Sequence, residues 1–458
     1  GNITVTGVIN SDDATGDTLT IDADGTGTDG NVDLQGAIGD TADLNALTIQ
    51  NAAQVDVNNI AVSGGDVAIS GTNIDLNGTT IFITNGAGAE TITFTGPVDL
   101  NANVTITGAG GATDDITFSS TVNSEGGART LSVVGGSGDV DFGGAIGAGG
   151  SGTLSSLTVT GAAIDINDIG NVGVQDGVSG VTDIDASNGI TLDGSDYQVG
   201  GTLNLDDSSA TAINLTGGVT NIVTSGDNVN IDTGDDDSVV TLGNGTNLTI
   251  TTAGGNVTAQ AGFDGTSDED LTINAAAGSV DVGQIGTNDA DGIHDVNITA
   301  NGGVTLRGNI VTTNASAGDV NITGTTTVTG NTTIDTQQGA DGNIDIDAIT
   351  GDTAGAGWDL TLNADTGSVT VGTIGTDAAA DRINAVDIDA DAGVTLNGSI
   401  FTGEDAGTND GNVDIDGAVT LGANVTVDTT DAAAGDAGTV VFQDTVNSDG
   451  TTRSLTVT

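Results

Sequence analysis

The sequence predicts an all-β chain wound into an elongated parallel β-solenoid (a β-helix) of short, repeated strands. Three observations predict it. Apolar-x-apolar triplets recur throughout, Gly, Asn and Asp separate them, and aromatic residues are only 2% of the 458 positions.

The triplets come first. Val32-Asp33-Leu34, Val55-Asp56-Val57, Val67-Ala68-Ile69, Ile74-Asp75-Leu76 and Ile81-Phe82-Ile83 alternate with period two. That period describes a strand with one face buried and the middle residue turned to water. The separators, often Asn-Gly or Asp-Gly, are turn signals. Ala275–Ala277 and Ala378–Ala380 are too short to hold a helix.

The composition selects among β architectures. A chain of sandwich domains, with blocks of about 90–110 residues, is the alternative. Each triplet offers two or three inward side chains, which fill a narrow tube but not the gap between two sandwich sheets. A buried aromatic per sandwich domain is also wanting, since Trp358 and Tyr197 are single. One Pro in the chain suits backbone that is hydrogen-bonded on both sides. Three strands per coil, at roughly eight residues per strand, give coils of about 20–25 residues.

Longer self-similarity overlies the triplets. Gly278-Ser-Val-Asp-Val-Gly283 matches Gly367-Ser-Val-Thr-Val-Gly372, and Gly303-Val-Thr-Leu306 matches Gly393-Val-Thr-Leu396. Gly324 to Thr336 matches Gly417 to Thr429, and Ile116 to Val133 matches Val440 to Val457. The offsets drift by a few residues, as they do when strands are fixed and turns vary. Residues 1–458 therefore read as one continuous array. Both ends fall within the pattern without a capping unit, which suggests a segment of a longer protein or ends that dock on other copies.

Charge restricts partners. The formal net charge is −60, Lys is absent, and the basic residues are Arg129, Arg307, Arg382 and Arg453. Nucleic acid is excluded as an electrostatic partner, because phosphate binding needs cationic side chains. No apolar run reaches the ~20 residues of a membrane span, so membrane insertion is not expected. Cys is absent, which removes disulfides and thiolate metal sites.

Acid is carried almost wholly by Asp, with Glu only at 90, 125, 269 and 404. A short carboxylate suits turns and cation chelation. Asp387, Asp389 and Asp391 alternate and are expected on one face of one strand. Asp345 with Asp347, and Asp414 with Asp416, repeat that arrangement. Asp22, Asp24, Asp235 and Asp237 are loop candidates. Oxygen ligands converging from stacked turns suit Ca²⁺, against the plainer reading of a solvated acidic face. About three net charges per coil, on coils ~4.8 Å apart, lie within one Debye length of ~8 Å. Such a column favours bound counterions.

Catalytic signatures are not found. His294 is the one imidazole, and on a regular strand it and Asp295 point to opposite faces. Without Lys there is no phosphate-binding loop of the usual type, and clustered His or Cys for zinc is missing. Paired acids that could cleave a polysaccharide sit in repeats, and Arg129 and Arg453 occupy one repeat position. The chain is expected not to be an enzyme, with a solenoid polysaccharide hydrolase or lyase as the less favoured reading. Trp358 and Tyr197 are the candidates for an exposed aromatic patch that binds a glycan or a cell-surface ligand.

The segment Phe118…Thr121-Val-Asn-Ser124…Arg129-Thr-Leu-Ser-Val133, followed by Gly138-Asp-Val-Asp-Phe142-Gly-Gly-Ala-Ile146-Gly and Leu157-Thr-Val159, carries a resemblance. It resembles the β-strand repeats of large bacterial cell-surface proteins, the filamentous-haemagglutinin-like adhesins. No secretion domain of that group is recognisable. The resemblance implies export, an elongated β-rich rod and a structural role in an extracellular fibre, sheath or surface adhesin. A carbohydrate- or cell-binding stalk is the alternative. The expected partners are copies of the chain itself, assembled end to end or laterally.

Overall fold

A computed structural model describes residues 1–458 except 13–15, 26–27, 85–87, 150–151, 172–175, 210, 233–237, 288–291, 315–316, 340, 353–356, 379–380, 404–410 and 431–437. The chain forms two compact units, Gly1–Ser238 and Val239–Thr458. Each is a parallel β-solenoid, and no α-helix occurs among the described residues. The sandwich alternative is thereby set aside, because the pairings between strands are parallel and connect successive coils.

In the first unit the coils stack on three faces, with an isolated bridge in place of a strand at some positions, such as Ile146 and Ile169. On the first face Val32 pairs with Val55, Val55 with Ile74, Ile74 with Val98 and Val98 with Val122. Those steps are 23, 19, 24 and 24 residues, close to the coil length predicted from strand spacing. The second face stacks Ile60–Val62, Thr80–Ile83, Val104–Thr107, Thr130–Val134 and Ser156–Gly161. The third stacks Val67–Gly71, Ile92–Thr95, Ile116–Phe118, Val140–Phe142 and Ile164–Ile166.

The triplets explain this register. In Ile74–Leu76, Val98–Leu100 and Ile116–Phe118 the outer two residues are buried and the middle one is partly exposed. Identical positions lie over one another, so the interior is a column of aliphatic side chains. Val32, Val55, Ile74, Val98 and Val122 are each fully buried. Burying such a side chain contributes about 1.5–3 kcal/mol. Slipping one residue would expose the whole column. On the third face Phe94, Phe118 and Phe142 stack with ring centroids 5.0 and 4.7 Å apart.

The second unit repeats the scheme. Its first face runs Leu248, Leu271, Val296, Val320, Ile344, Val369, Val394 and Val419. Its second face carries Val257, Val280, Val304 and Thr326. The matched segments of sequence do not stack on one face. Val280 and Val304 lie on the second face, whereas their counterparts Val369 and Val394 lie on the first. The sequence offset is therefore not a whole number of coils, and the same triplet serves either face.

Backbone conformation at the corners fixes where a face ends. Gly324 and Gly417, which open two matched segments, have φ of +123° and +124°. A Cβ on Gly324 would lie 2.2 Å from the Ala300 carbonyl oxygen, and on Gly417 2.1 Å from that of Ala390. Both the dihedral and the space therefore require Gly. Gly417→Ala is expected to lower stability by about 1–3 kcal/mol. Gly330→Ala, where a Cβ meets nothing within 4 Å, should be neutral or slightly stabilising. Urea midpoints of the two variants check this, and equal effects would contradict it.

Candidate cation sites on the acidic ladders

Strand alternation turns the middle residue of each triplet outward, and parallel in-register stacking then places like residues on like. On the first face of the first unit Asp33, Asp56, Asp75 and Asp99 follow one another from coil to coil. Ligand oxygens of Asp75, Asp99 and Glu125 lie within 4.8 Å of one another. Partial burial raises the Asp75 pKa to about 6, helped by a hydrogen bond and a like charge from Asp56. Sequence reading missed this ladder. The signal was four triplets with a central Asp, but only the coil lengths assign them to one face.

The predicted acids of the second unit are placed as follows. Asp387 and Asp389 project outward from Val386–Ala390, and Asp414 and Asp416 come from Val413–Asp416. The register sets Asp387 beside Asp414 and Asp389 beside Asp416. Burial first, then the Asp414 charge, raises the Asp387 pKa, and Asp389 is raised by burial and then by Asp416. Asp387 and Asp414 line a shallow pocket of about 290 Å³ with Asp359, Thr361 and Asn412.

Asp391 departs from its expected place. The strand ends at Ala390 and Asp391 lies in the following turn. Its N–H donates to the Asp365 carbonyl at 2.5 Å, so the corner claims it. Asp345 and Asp347 both face outward from Ile344–Gly351. Asp345 sits between Asn321 and Thr370 rather than between acids, and Asp347 accepts the Gly324 N–H at 3.0 Å. Asp235 and Asp237 lie outside the described residues. Asp22 accepts side-chain hydrogen bonds from Gln50 and Asn51 of the next coil, while Asp24 donates its N–H to Asp22.

Many acids have a structural partner. Immediately before the buried first-face residues Leu248, Leu271, Val296, Val320 and Ile344 of the second unit, side-chain oxygens accept the backbone N–H of the corresponding residue one coil on. Asn247 accepts from Asp270 at 3.0 Å, Asp270 from Asp295 at 3.2 Å and Asp295 from Asp319 at 2.8 Å. Asp319 then accepts from Asn343 at 2.7 Å, and Asn343 from Ser368 at 3.0 Å. The first unit does the same where Asp115 accepts from Asp139 and Asp139 from Ala163. A buried acid can gather a whole loop. Glu269 accepts the N–H groups of Gly245, Thr266 and Ser267.

Arginines bind acids at the same scale. Arg307 forms a fork to Asp281 at 2.7 and 2.8 Å, and Arg453 pairs with Asp449 at 2.7 Å. Buried Arg382 donates to the Thr402 and Thr430 carbonyls and lies 3.4 Å from both Asp377 and Asp428.

Two sequence expectations change. Tyr197 is not a surface aromatic. It is buried, and its hydroxyl donates to the Ile166 and Asn167 carbonyls while accepting the Gly194 N–H. Trp358 is half-buried, with its indole N–H on Asp352. His294 and Asp295 do not point to opposite faces. A β-bulge sets both of them against the single residue Asp270, so both face outward.

Comparison with protein-family models, with curated proteins and with solved structures yields no match.

The Asp75 proton is held more tightly in the folded chain than at the ordinary carboxylate value of 3.8. Its contribution to stability is therefore complete below that value and is lost as pH rises through about 6. Wild-type melting temperature should fall, relative to Asp75→Asn, between roughly pH 4 and pH 7. Parallel melting curves for the two proteins across that window would contradict the assignment.

Proposed function

We propose that this chain is a non-catalytic structural module, a rigid acidic rod segment of an exported bacterial surface protein or extracellular fibre. The observation that carries this reading is repetition. The same aliphatic interior and the same kind of inter-coil hydrogen bond recur along both units. The resemblance of Phe118–Val133 and its sequel to filamentous-haemagglutinin-like repeats supplies the cellular setting.

The outward ladders give the surface its chemistry. Stacked carboxylates such as Asp387 with Asp414 repel one another, and divalent cations, Ca²⁺ foremost, offset that repulsion. Acidic faces bridged by such ions also supply a route for copies of the chain to associate laterally.

Immunogold labelling of intact, unpermeabilised producing cells tests the proposal, together with negative-stain microscopy of the purified chain. Gold at the cell periphery and slender, uniform particles are expected. Label confined to the cytoplasm, or compact globular particles, would overturn it.

A further inference from the structure

The ladder from Asn247 to Ser368 is regular at every rung but one. Between Glu269 and Leu271 on one coil there is a single residue, Asp270. Between Ile293 and Val296 on the next there are two, His294 and Asp295. The extra residue makes a bulge, and bulges re-aim side chains. Here the bulge turns the only imidazole of the chain outward, onto two carboxylates from adjacent coils. His294 Nδ1 lies 2.9 Å from Asp270 Oδ1 and 3.8 Å from Asp295 Oδ1. Ligand atoms of all three residues fall within 4.8 Å of one another.

We propose that Asp270, His294 and Asp295 form a binding site for a divalent first-row transition ion of the Zn²⁺ class. The donor set is one imidazole nitrogen and two carboxylate oxygens. Imidazole favours Zn²⁺ and its neighbours, whereas Ca²⁺ takes six to eight oxygens. Bond lengths near 2.0–2.2 Å put neighbouring ligands of a tetrahedral ion ~3.3 Å apart. The observed 2.9 and 3.8 Å bracket that separation, so rotamer adjustments suffice. Each carboxylate has two oxygens and about four lone-pair sites. Holding an ion is therefore compatible with accepting the ladder N–H of Asp295 or Asp319.

The absence of clustered His and Cys argued against zinc from sequence alone. The fold supplies what the linear order hides, because Asp270 comes from the preceding coil. The alternative occupant is a proton: a charged imidazole bridging Asp270 and Asp295, with Asp268 adding its field. Ion and proton compete for Nδ1, so binding releases a proton and strengthens as pH rises. The site depends on a local bulge and stands apart from the proposed surface role.

Because His294 is the single histidine, ¹⁵N-histidine labelling reports this site alone. Zn²⁺ is titrated into the labelled full chain in a large excess of Ca²⁺, which occupies general acidic positions. The expected result is a shift of the ring nitrogen resonances that saturates at one Zn²⁺ per chain. Asp270→Asn and Asp295→Asn retain the ladder oxygen and should each weaken binding about tenfold or more. Ring resonances that do not move at one equivalent of Zn²⁺ would overturn the proposal. So would resonances that move equally in the Asp270→Asn/Asp295→Asn double variant.

Discussion

The constraint on which the rest depends is the in-register parallel stacking of coils, held at its corners by short Asp and Asn side chains. A strand pairs its backbone with the strands above and below. Beside the strands some N–H groups meet a neighbouring coil's carbonyl, as Asn101 does at Leu76, while others have no carbonyl within reach and need another acceptor. The chain meets this by placing an Asx oxygen under the N–H of the next coil, as in the run from Asn247 to Ser368. Every acceptor in that run is Asp or Asn, whose side-chain oxygen sits close to the backbone. The acids of the chain are mostly Asp, which suits this role.

The same geometry creates the electrostatic character of the surface. An alternating strand needs a polar residue at its outward centre, and parallel register puts equivalent centres on top of one another. Wherever that centre is Asp, a column of like charges results, as at Asp33, Asp56, Asp75 and Asp99. Where it is Asn, the column becomes attractive instead. Asn321 donates to Asn297 at 3.1 Å, and Asn230 to Asn204 at 2.9 Å. Mixing the two along a face tempers self-repulsion without giving up the short side chain.

Much of this was legible from the residues. Val55-Asp56-Val57 and its relatives announce strands, their inward faces and the narrow interior, and their spacing gives the coil. What the sequence could not reveal is which triplets share a face. Turns vary in length, so the step from Val55 to Ile74 is 19 residues where that from Ile74 to Val98 is 24. Self-similarity even misleads, since the matched Val280 and Val369 occupy different faces. Among the candidate acids, Asp387, Asp389, Asp414 and Asp416 were placed correctly because strict alternation governs them. Asp391 failed because a corner intervened, and the His294 cluster was hidden by a one-residue bulge that no periodicity encodes. Tyr197, a candidate with Trp358 for an exposed aromatic patch, is buried, and the Ile166 and Asn167 carbonyls accept from its hydroxyl.

Cooperativity in a stacked array is limited to neighbouring coils, so a local readout tests the role of the Asx oxygen best. That readout is amide hydrogen exchange at Asn343, whose N–H donates to Asp319 at 2.7 Å. Replacing Asp319 by Asn keeps the oxygen and removes the charge, and protection at Asn343 should stay near wild type. Replacement by Ala, or by Glu with its longer reach, should lower protection about tenfold, the equivalent of a hydrogen bond of ~1.4 kcal/mol. Equal loss with Asn and Ala would mean that charge holds the rung, and unchanged protection with Ala would mean that the oxygen does not; either contradicts the account.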